Sequence, residues 1–398
     1  MTTIETADRI EPALLEDAPA NIADIMAELS AKAAVLGSAL HVRTASNLAD
    51  LVRIMNTYYS NLIEGHHTRP RDIERALSGE LDQDQKRRDL QLEAKAHVRV
   101  QAEVDKQFAE GRLPDPTSSQ FILFLHREFY RDAPESMLLI RGAGREFQME
   151  PGKWRFLPEH DVAVGQHLPP SSSRVPDFMR HFELRYRQQM LGTGSRILAI
   201  PAAHHRLNYI HPFPDGNGRV SRLMSHAMAH TAGIGAHGLW AVSRGLARGL
   251  ESRSEYKRMM DYADTPRMND IDGRGNLSLR ALKEFTLWFL KVCLDQVTFM
   301  SGLFDIEALA QRFRKYVAQS EHLKPESSRL LEEALVRGEF DRGEAARITQ
   351  LPERTARRVL KEVVAEGLLA SSTEKGPVSL RFPTESLETL FPRLYLEA

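Results

Sequence analysis

The chain has 398 residues and a mass of 45.1 kDa, enough for two or three domains, with 42% hydrophobic and 27% charged residues as in ordinary globular proteins. Its 53 basic and 54 acidic residues leave a net charge of −1, which argues against a protein that coats nucleic acid. One cysteine, Cys293, excludes an intramolecular disulfide, and no apolar run approaches the ~18 residues of a membrane span.

The acidic opening, MTTIETADRIEPALLEDAPA, lacks an apolar signal core, so no secretion signal is expected and the predicted location is cytoplasmic. These first residues, with Pro12 and Pro19, are expected to be mobile. From about Asn21 to Ile63 apolar residues recur at helical spacing (Ile22, Ile25, Met26, Leu29, then Leu48, Leu51, Ile54, Met55). Gly65 supplies a stop, and Thr68 with Pro70 starts a further helix. QKRRDLQLEAKAHVRVQAEV and the patch Phe121 to Tyr130 also read as helix. The proline-rich stretch 151–176 differs and predicts a β-hairpin over roughly Arg155 to Leu168. Helical pattern resumes over 175–190, 195–209, 218–231, 251–263 and 277–303. After a polar break near Leu323 to Pro325, a helix, a helix–turn–helix and a β-prone VSLRF follow in the order of a small winged-helix module. The fold class expected is mainly α.

The stretch HPFPDGNGRVSR, residues 211–222, concentrates chemistry. Gly216-Asn217-Gly218 permits a tight turn whose N–H groups converge before a helix, an anion site. Arg219 and Arg222, three apart on that helix, suit a polyphosphate better than a lone carboxylate. Asp215 is the residue type that holds Mg²⁺ beside phosphates, and His211 is mostly neutral at neutral pH and can accept a proton. Together they fit phosphoryl or nucleotidyl transfer to a hydroxyl. Zinc held by His204, His205, His211 and Asp215 is a rival, weakened because adjacent histidines on a helix point in different directions.

The segment matches every fixed position of HxFx(D/E)GNGRxxR and so resembles the Fic family signature, with likeness extending from roughly Ser46 to Phe304. The resemblance implies a helical core with a β-hairpin flap and transfer of AMP from ATP to a Tyr, Thr or Ser hydroxyl of a target protein. By position, His211 would deprotonate the hydroxyl and Asp215 would hold Mg²⁺. Gly216, Asn217 and Gly218 would bind phosphates. Arg219 and Arg222 would neutralise the triphosphate tail, with Arg222 nearest the γ-phosphate. Val164 and Gly165 would lie at the target-binding flap, and Tyr256 would line the adenine pocket. Upstream, Ser60-x-x-x-Glu64-Gly65 resembles the family's inhibitory motif, with Glu64 pairing to Arg222 in the γ-phosphate position. His66 and His67 stand where relatives often carry Asn.

The domains expected are an N-terminal helical region with the inhibitory helix (1–110), a catalytic core (111–305), a linker helix (306–324) and a winged-helix-like domain (325–398). In the last, Arg354, Arg357, Arg358 and Lys361 are placed to meet phosphates, but residues 325–383 hold ten basic and ten acidic residues. DNA contact through this domain, self-modification and a homodimer are further expectations. Removal of AMP with Glu64 orienting a water, transfer of another phosphate-containing group, and a DNA-binding regulator with a nucleotide-sensing core are the alternatives.

Overall fold

A computed structural model describes residues 5–142, 145–165 and 167–395. In chain order come α1 (Ala20–Ser38), α2 (Val42–Ile63), α3 (Pro70–Leu77), α4 (Gln85–Ala109), α5 (Ser119–Tyr130) and the short α6 (Glu135–Leu138). Strands β1 (Leu139–Gly142) and β2 (Arg145–Gln148) follow, then α7 (Val175–Tyr186), α8 (Thr193–Ile210), α9 (Asn217–Thr231), α10 (Val242–Arg248), α11 (Glu255–Ala263) and α12 (Leu279–Leu303). The tail adds α13 (Ile306–Gln319), α14 (Ser327–Arg337), β3 (Glu339–Phe340), α15 (Ala345–Thr349), α16 (Glu353–Ala365), β4 (Leu369–Ala370), β5 (Val378–Leu380) and α17 (Leu387–Leu390). The fold is mainly helical, as expected. No single described helix is long and apolar enough to cross a membrane.

The chain divides into two compact units. The first comprises the segment ending at Ala31, Asn56–Gly235 and Ala241–Gln296. Its centre is α8 packed on α9, with α4 and α5 against α9 and α7 against α8. Helix α8 is apolar on nearly every side (Ile197, Ala199, Ala202, Ala203 and Leu207 are all buried), which is why it can sit in the middle of a bundle. Phe178 and Phe182 of α7, Leu223 and Met228 of α9, and Phe285 and Phe289 of α12 complete the core.

Two expectations are corrected here. The opening residues that are described, from Glu5 onward, are docked, not loose: Ile10 and Ala13 are fully buried, Arg9 Nε donates to Tyr209 Oη at 3.0 Å, and Tyr186 Oη donates to the Ala13 carbonyl at 2.6 Å. The apolar residues scattered between acidic ones are what bury them. The hairpin expected over Arg155–Leu168 shrinks to a single antiparallel bridge between Val164 and His167. Pro158 within this stretch, and Pro169 and Pro170 just after it, cannot donate ladder hydrogen bonds. A regular hairpin forms earlier, with β1 and β2 in register from Leu139↔Gln148 to Gly142↔Arg145.

The second unit comprises Lys32–Met55, Ala236–Trp240 and the chain from Val297 onward. Its sheet has the antiparallel order β3-β5-β4, with α14, α15 and α16 around it. Thr44 Oγ1 donates to the Leu335 carbonyl (2.9 Å), and Arg381 Nη1 donates to Asn47 Oδ1 (3.1 Å). Gly338, at φ +83, lets the backbone pass where any Cβ would strike the His41 ring.

Candidate active site

Helix α8 ends at Ile210 because Pro212 has no N–H and crowds a helical conformation at the residue before it. His211 turns out of the helix into the left-handed region (φ 51, ψ 60), one of the few side chains that visits it at modest cost. A buried arginine holds this turn. Arg155 Nε donates to the His211 carbonyl (2.7 Å) and Nη2 to the Ile210 carbonyl (3.1 Å), while its backbone N–H donates to the Pro212 carbonyl (2.9 Å). Ser172 Oγ accepts from Nη1 at 2.9 Å. Three successive carbonyls are thus fixed by one residue. Arg155→Met should leave two or more buried carbonyls unsatisfied, at about 1–3 kcal/mol each. A loss of at least about 2 kcal/mol in urea denaturation is therefore expected.

The turn itself is built on Phe213, fully buried between His126 (centroids 3.9 Å, stacked) and Trp154 (4.8 Å). Asn217 closes it: Phe213 N–H donates to Asn217 Oδ1 (2.9 Å), and Asn217 Nδ2 donates back to the Phe213 carbonyl (2.8 Å). The Asn217 side chain is therefore spent on the loop, and only its backbone is available to a ligand. Gly216 (φ +81) lies where a Cβ would come within 2.8 Å of Tyr130 Oη. Helix α9 begins at Asn217, so its first-turn amides have no helical acceptor and present an anion site.

That site already holds a carboxylate. Glu64, just beyond the end of α2, places Oε1 2.5 Å from Arg222 Nη2. A Cβ on Gly218 would lie 2.5 Å from the same oxygen, so the carboxylate rests directly on the first turn of α9. Ser60, one turn earlier on α2, accepts from Arg222 Nε through Oγ (2.9 Å) and from Nη2 through its carbonyl (3.3 Å). Burial alone would raise the Glu64 pKa, but the Arg222 and Arg219 guanidiniums hold it below the usual carboxylate range. Its side chain keeps 31% of its surface open to solvent, while Arg222 is 1% exposed. The pair therefore joins a buried cation to a residue that reaches in from the surface.

Arg219 departs from the expectation that both arginines would face one phosphate tail. It turns to Glu93 of α4 (Nη2 to Oε1, 2.7 Å), lies 3.8 Å from Asp215, and stands over the Phe129 ring at 5.4 Å. His66 Nδ1 sits 3.1 Å from the same Glu93 oxygen, so the unusual residue after Glu64-Gly65 joins this network. The hydrogen bond to Glu93 raises the His66 pKa. Asp215 is exposed and accepts from Tyr130 Oη at 3.1 Å.

A cavity of about 1180 Å³ opens beside this arrangement. His211, Tyr256, Val164 and Gly165 line it, together with Leu62 and Ile63, which precede Glu64. Asp215 and Arg219 instead border a second cavity of about 390 Å³ with Tyr130 and Glu93. Burial brings the His211 pKa down to about 4, helped by Arg155 and opposed by a hydrogen bond to the Asn208 backbone. Its imidazole is thus neutral across the physiological range. Tyr256 Oη lies 2.8 Å from His204 Nε2, and burial pushes its pKa up to about 12. The zinc rival does not assemble: His204 meets Ser225 and Tyr256, whereas His205 meets Asp264 and the Met260 carbonyl.

Sequence reasoning missed Arg155, His126, Tyr130 and Glu93. Only long-range packing links them to the motif, and none stands at a telling spacing from it. His126 Nδ1 accepts from the Gly152 N–H (2.8 Å), which leaves Nε2 as the protonated nitrogen facing the Asp215 carbonyl (3.3 Å). Burial takes its pKa to about 4, and those of His97 and His204 to about 3. These values lie below the unfolded one near 6.5, so below that pH the unfolded chain binds protons the folded one refuses. Stability should fall as pH drops from about 6.5 towards 4, by up to about 2 kcal/mol per buried histidine at pH 5. Urea midpoints at pH 7 and pH 5 measure it.

Residues 116–229 match the model of the Fic/DOC family. They form a Fic domain. The Fic domain contains His211, Asp215, the glycine turn and both arginines, while Glu64 and Tyr256 lie outside the matched span. The chain is similar to a protein adenylyltransferase Fic of Drosophila erecta, 34% identical over 93 residues, which are 23% of this chain and 18% of that one. Its counterpart in Aedes aegypti is 38% identical over 95 residues, with the same coverage. The chain thus matches less than a fifth of the length of these curated relatives. Among solved structures it resembles a Fic family protein from Desulfovibrio desulfuricans G20 (TM-score 0.51, 16% identity, 92% of this chain and 98% of that one). It also resembles Fic-1 of C. elegans (TM-score 0.52, 15% identity, 72% and 73%). At such identities the likeness establishes the Fic fold.

Proposed function

We propose that this Fic-domain protein transfers AMP from ATP to a hydroxyl side chain of a target protein and is held inactive by its own Glu64. The observation that carries this reading is the Glu64 carboxylate seated on Arg222 and on the first turn of α9, where a phosphate would bind. An anion-binding turn filled by a carboxylate from the same chain is a site designed for an anion and closed to it. ATP needs Glu64 to leave. Its γ-phosphate then takes the Arg222 contacts, and the α9 amides receive the phosphates. Arg219, committed to Glu93, adds positive potential from behind.

Neutral His211, projecting at the end of α8 into the cavity that Tyr256 also lines, takes the proton of the incoming hydroxyl. The freed oxygen forms a bond to the α-phosphorus, the bond from that phosphorus to the bridging oxygen breaks, and pyrophosphate departs. The exposed carboxylate of Asp215, on a loop beside the anion turn, fits a Mg²⁺ site of the kind that uses one protein carboxylate and substrate oxygens. When bound, Mg²⁺ would neutralise phosphate charge. Val164, 42% exposed at the cavity edge, and Gly165 are placed to meet the target segment as an added strand.

The tail order of helix, strand, two helices and two strands supports the winged-helix reading. On α16, Arg357 is already paired with Glu353, and Arg358 lies 3.6 Å from Glu362, so DNA contact has weaker support than catalysis. The test of the central reading uses the full chain with ATP radiolabelled on the α-phosphate and, in parallel, with the other nucleoside triphosphates. Label on protein from ATP, with a mass gain of one AMP, supports it. Nucleotide binding with no covalent product from the Glu64→Gly chain overturns it.

A further inference from the structure

Helix α9 runs two turns beyond Arg222, and there it carries His226 and His230, four residues apart on one face. Asp105, in the last two turns of α4, meets them. Its Oδ1 lies 2.6 Å from His226 Nε2 and 2.9 Å from His230 Nε2, and the two nitrogens are 3.2 Å apart. All three side chains are buried, with residue exposures of 8%, 6% and 3%. Phe108 stacks on the His230 ring at 4.5 Å, and Gly235 packs so close that a Cβ there would lie 2.4 Å from Nδ1. The ring is therefore fixed in orientation on both sides.

Three donor atoms converge on one point, and the function proposed above uses none of them. Hydrogen bonding alone can place one proton on each contact to Asp105 but leaves the two nitrogens facing each other. A metal ion uses all three. Donors around a tetrahedral ion with bonds of about 2.0–2.1 Å stand roughly 3.3 Å apart, so the sides of the observed triangle need to lengthen by roughly 0.1 to 0.7 Å. Two imidazoles and one carboxylate suit a borderline divalent ion over Mg²⁺ or Ca²⁺, which take oxygen. Each imidazole would coordinate through Nε2, with its proton on Nδ1.

We infer that Asp105, His226 and His230 form a binding site for a divalent transition-metal ion, zinc by its donor set, that staples α4 to α9. Three protein donors leave the fourth position to a water. The staple lies about one to three turns along α9 from the arginines and about three turns along α4 from Glu93, which holds Arg219. Metal would thus fix the register of the two helices that present this cation, and the site stands apart from the Mg²⁺ position at Asp215.

The test uses the full chain stripped with chelator and titrated with Zn²⁺ by calorimetry and with Co²⁺ by visible absorption. One equivalent of each is expected, with intense d–d bands from tetrahedral Co²⁺ and a rise of several degrees in Tm on adding Zn²⁺. Asp105→Asn and His230→Gln should each lower the affinity at least tenfold. If either variant fails to fold, the Co²⁺ spectrum of the unaltered chain decides. No stoichiometric binding by the folded chain, or binding that persists unchanged in both variants, overturns the inference and leaves a hydrogen-bonded triad. None of these readouts depends on AMP transfer.

Discussion

Glu64→Gly should raise AMP transfer about a hundredfold over the unaltered chain. That ratio corresponds to a closed-state preference of about 2.7 kcal/mol. A hydrogen bond between charged groups contributes about 1.5–3 kcal/mol, so the single contact from Glu64 to Arg222 is of the right size. Glycine removes the carboxylate without touching the rest of the arginine's setting. Arg222 keeps its bonds to the hydroxyl and carbonyl of Ser60, so it should remain aimed at the α9 turn. The variant should lose some thermal stability in the absence of nucleotide, because a buried cation has lost its partner. ATP should then raise Tm more in the variant than in the unaltered chain, since its terminal phosphate replaces what was removed. Intact-mass measurement after ATP and Mg²⁺ reads the transfer, and a thermal melt reads the binding. Unchanged labelling together with unchanged ATP affinity would refute the inhibitory role. If Glu64 orients a water for AMP removal, the unaltered chain would strip a pre-labelled protein and the glycine variant would not.

The ordered motif made most of this pocket legible in advance, because its parts are local. His211, Asp215, the glycine turn and Arg222 lie within twelve residues, and a helix start fixes their relative positions whatever surrounds them. The contact from Glu64 to Arg222 spans 158 residues and was reached only through the resemblance of Ser60-x-x-x-Glu64-Gly65 to a known motif. Arg155 gave no such signal. A lone arginine in a proline-rich loop reads as a solvated charge, yet it is fully buried and holds the carbonyls of the turn at His211. The split of the two arginines was equally hidden. Positions three apart differ by about 60° around a helix, enough for Glu93 on α4 to take one and Glu64 to take the other. The His226-x-x-x-His230 spacing was visible all along, but its meaning required Asp105, more than a hundred residues away. Helix ends were read well where a cap or a proline marked them, as at Gly65 and Pro70. The hairpin was misplaced because alternation in a proline-rich stretch mimics a strand that cannot pair.

The second large effect concerns His211, and the choice of substitution matters. Alanine would delete the imidazole but would also be forced into the left-handed conformation at φ 51, at about 1–2 kcal/mol. Asparagine tolerates that conformation and cannot act as a base near neutral pH. His211→Asn should therefore fold with a stability close to that of the parent chain, because the Arg155 bonds go to backbone carbonyls that the substitution leaves in place. In the Glu64→Gly background it should bind ATP as tightly as Glu64→Gly alone, since none of the phosphate contacts has been altered. AMP transfer should fall by about 10²–10⁴, the usual contribution of a positioned general base. A separation of intact binding from lost transfer assigns His211 to the chemical step. If binding and transfer fall together, the imidazole instead shapes the pocket; if neither falls, the hydroxyl loses its proton to some other group. The acid limb of the parent's pH profile should agree. A base whose pKa is depressed in the free protein remains competent below pH 6.5, and bound triphosphate, by adding negative charge nearby, moves that pKa back upward.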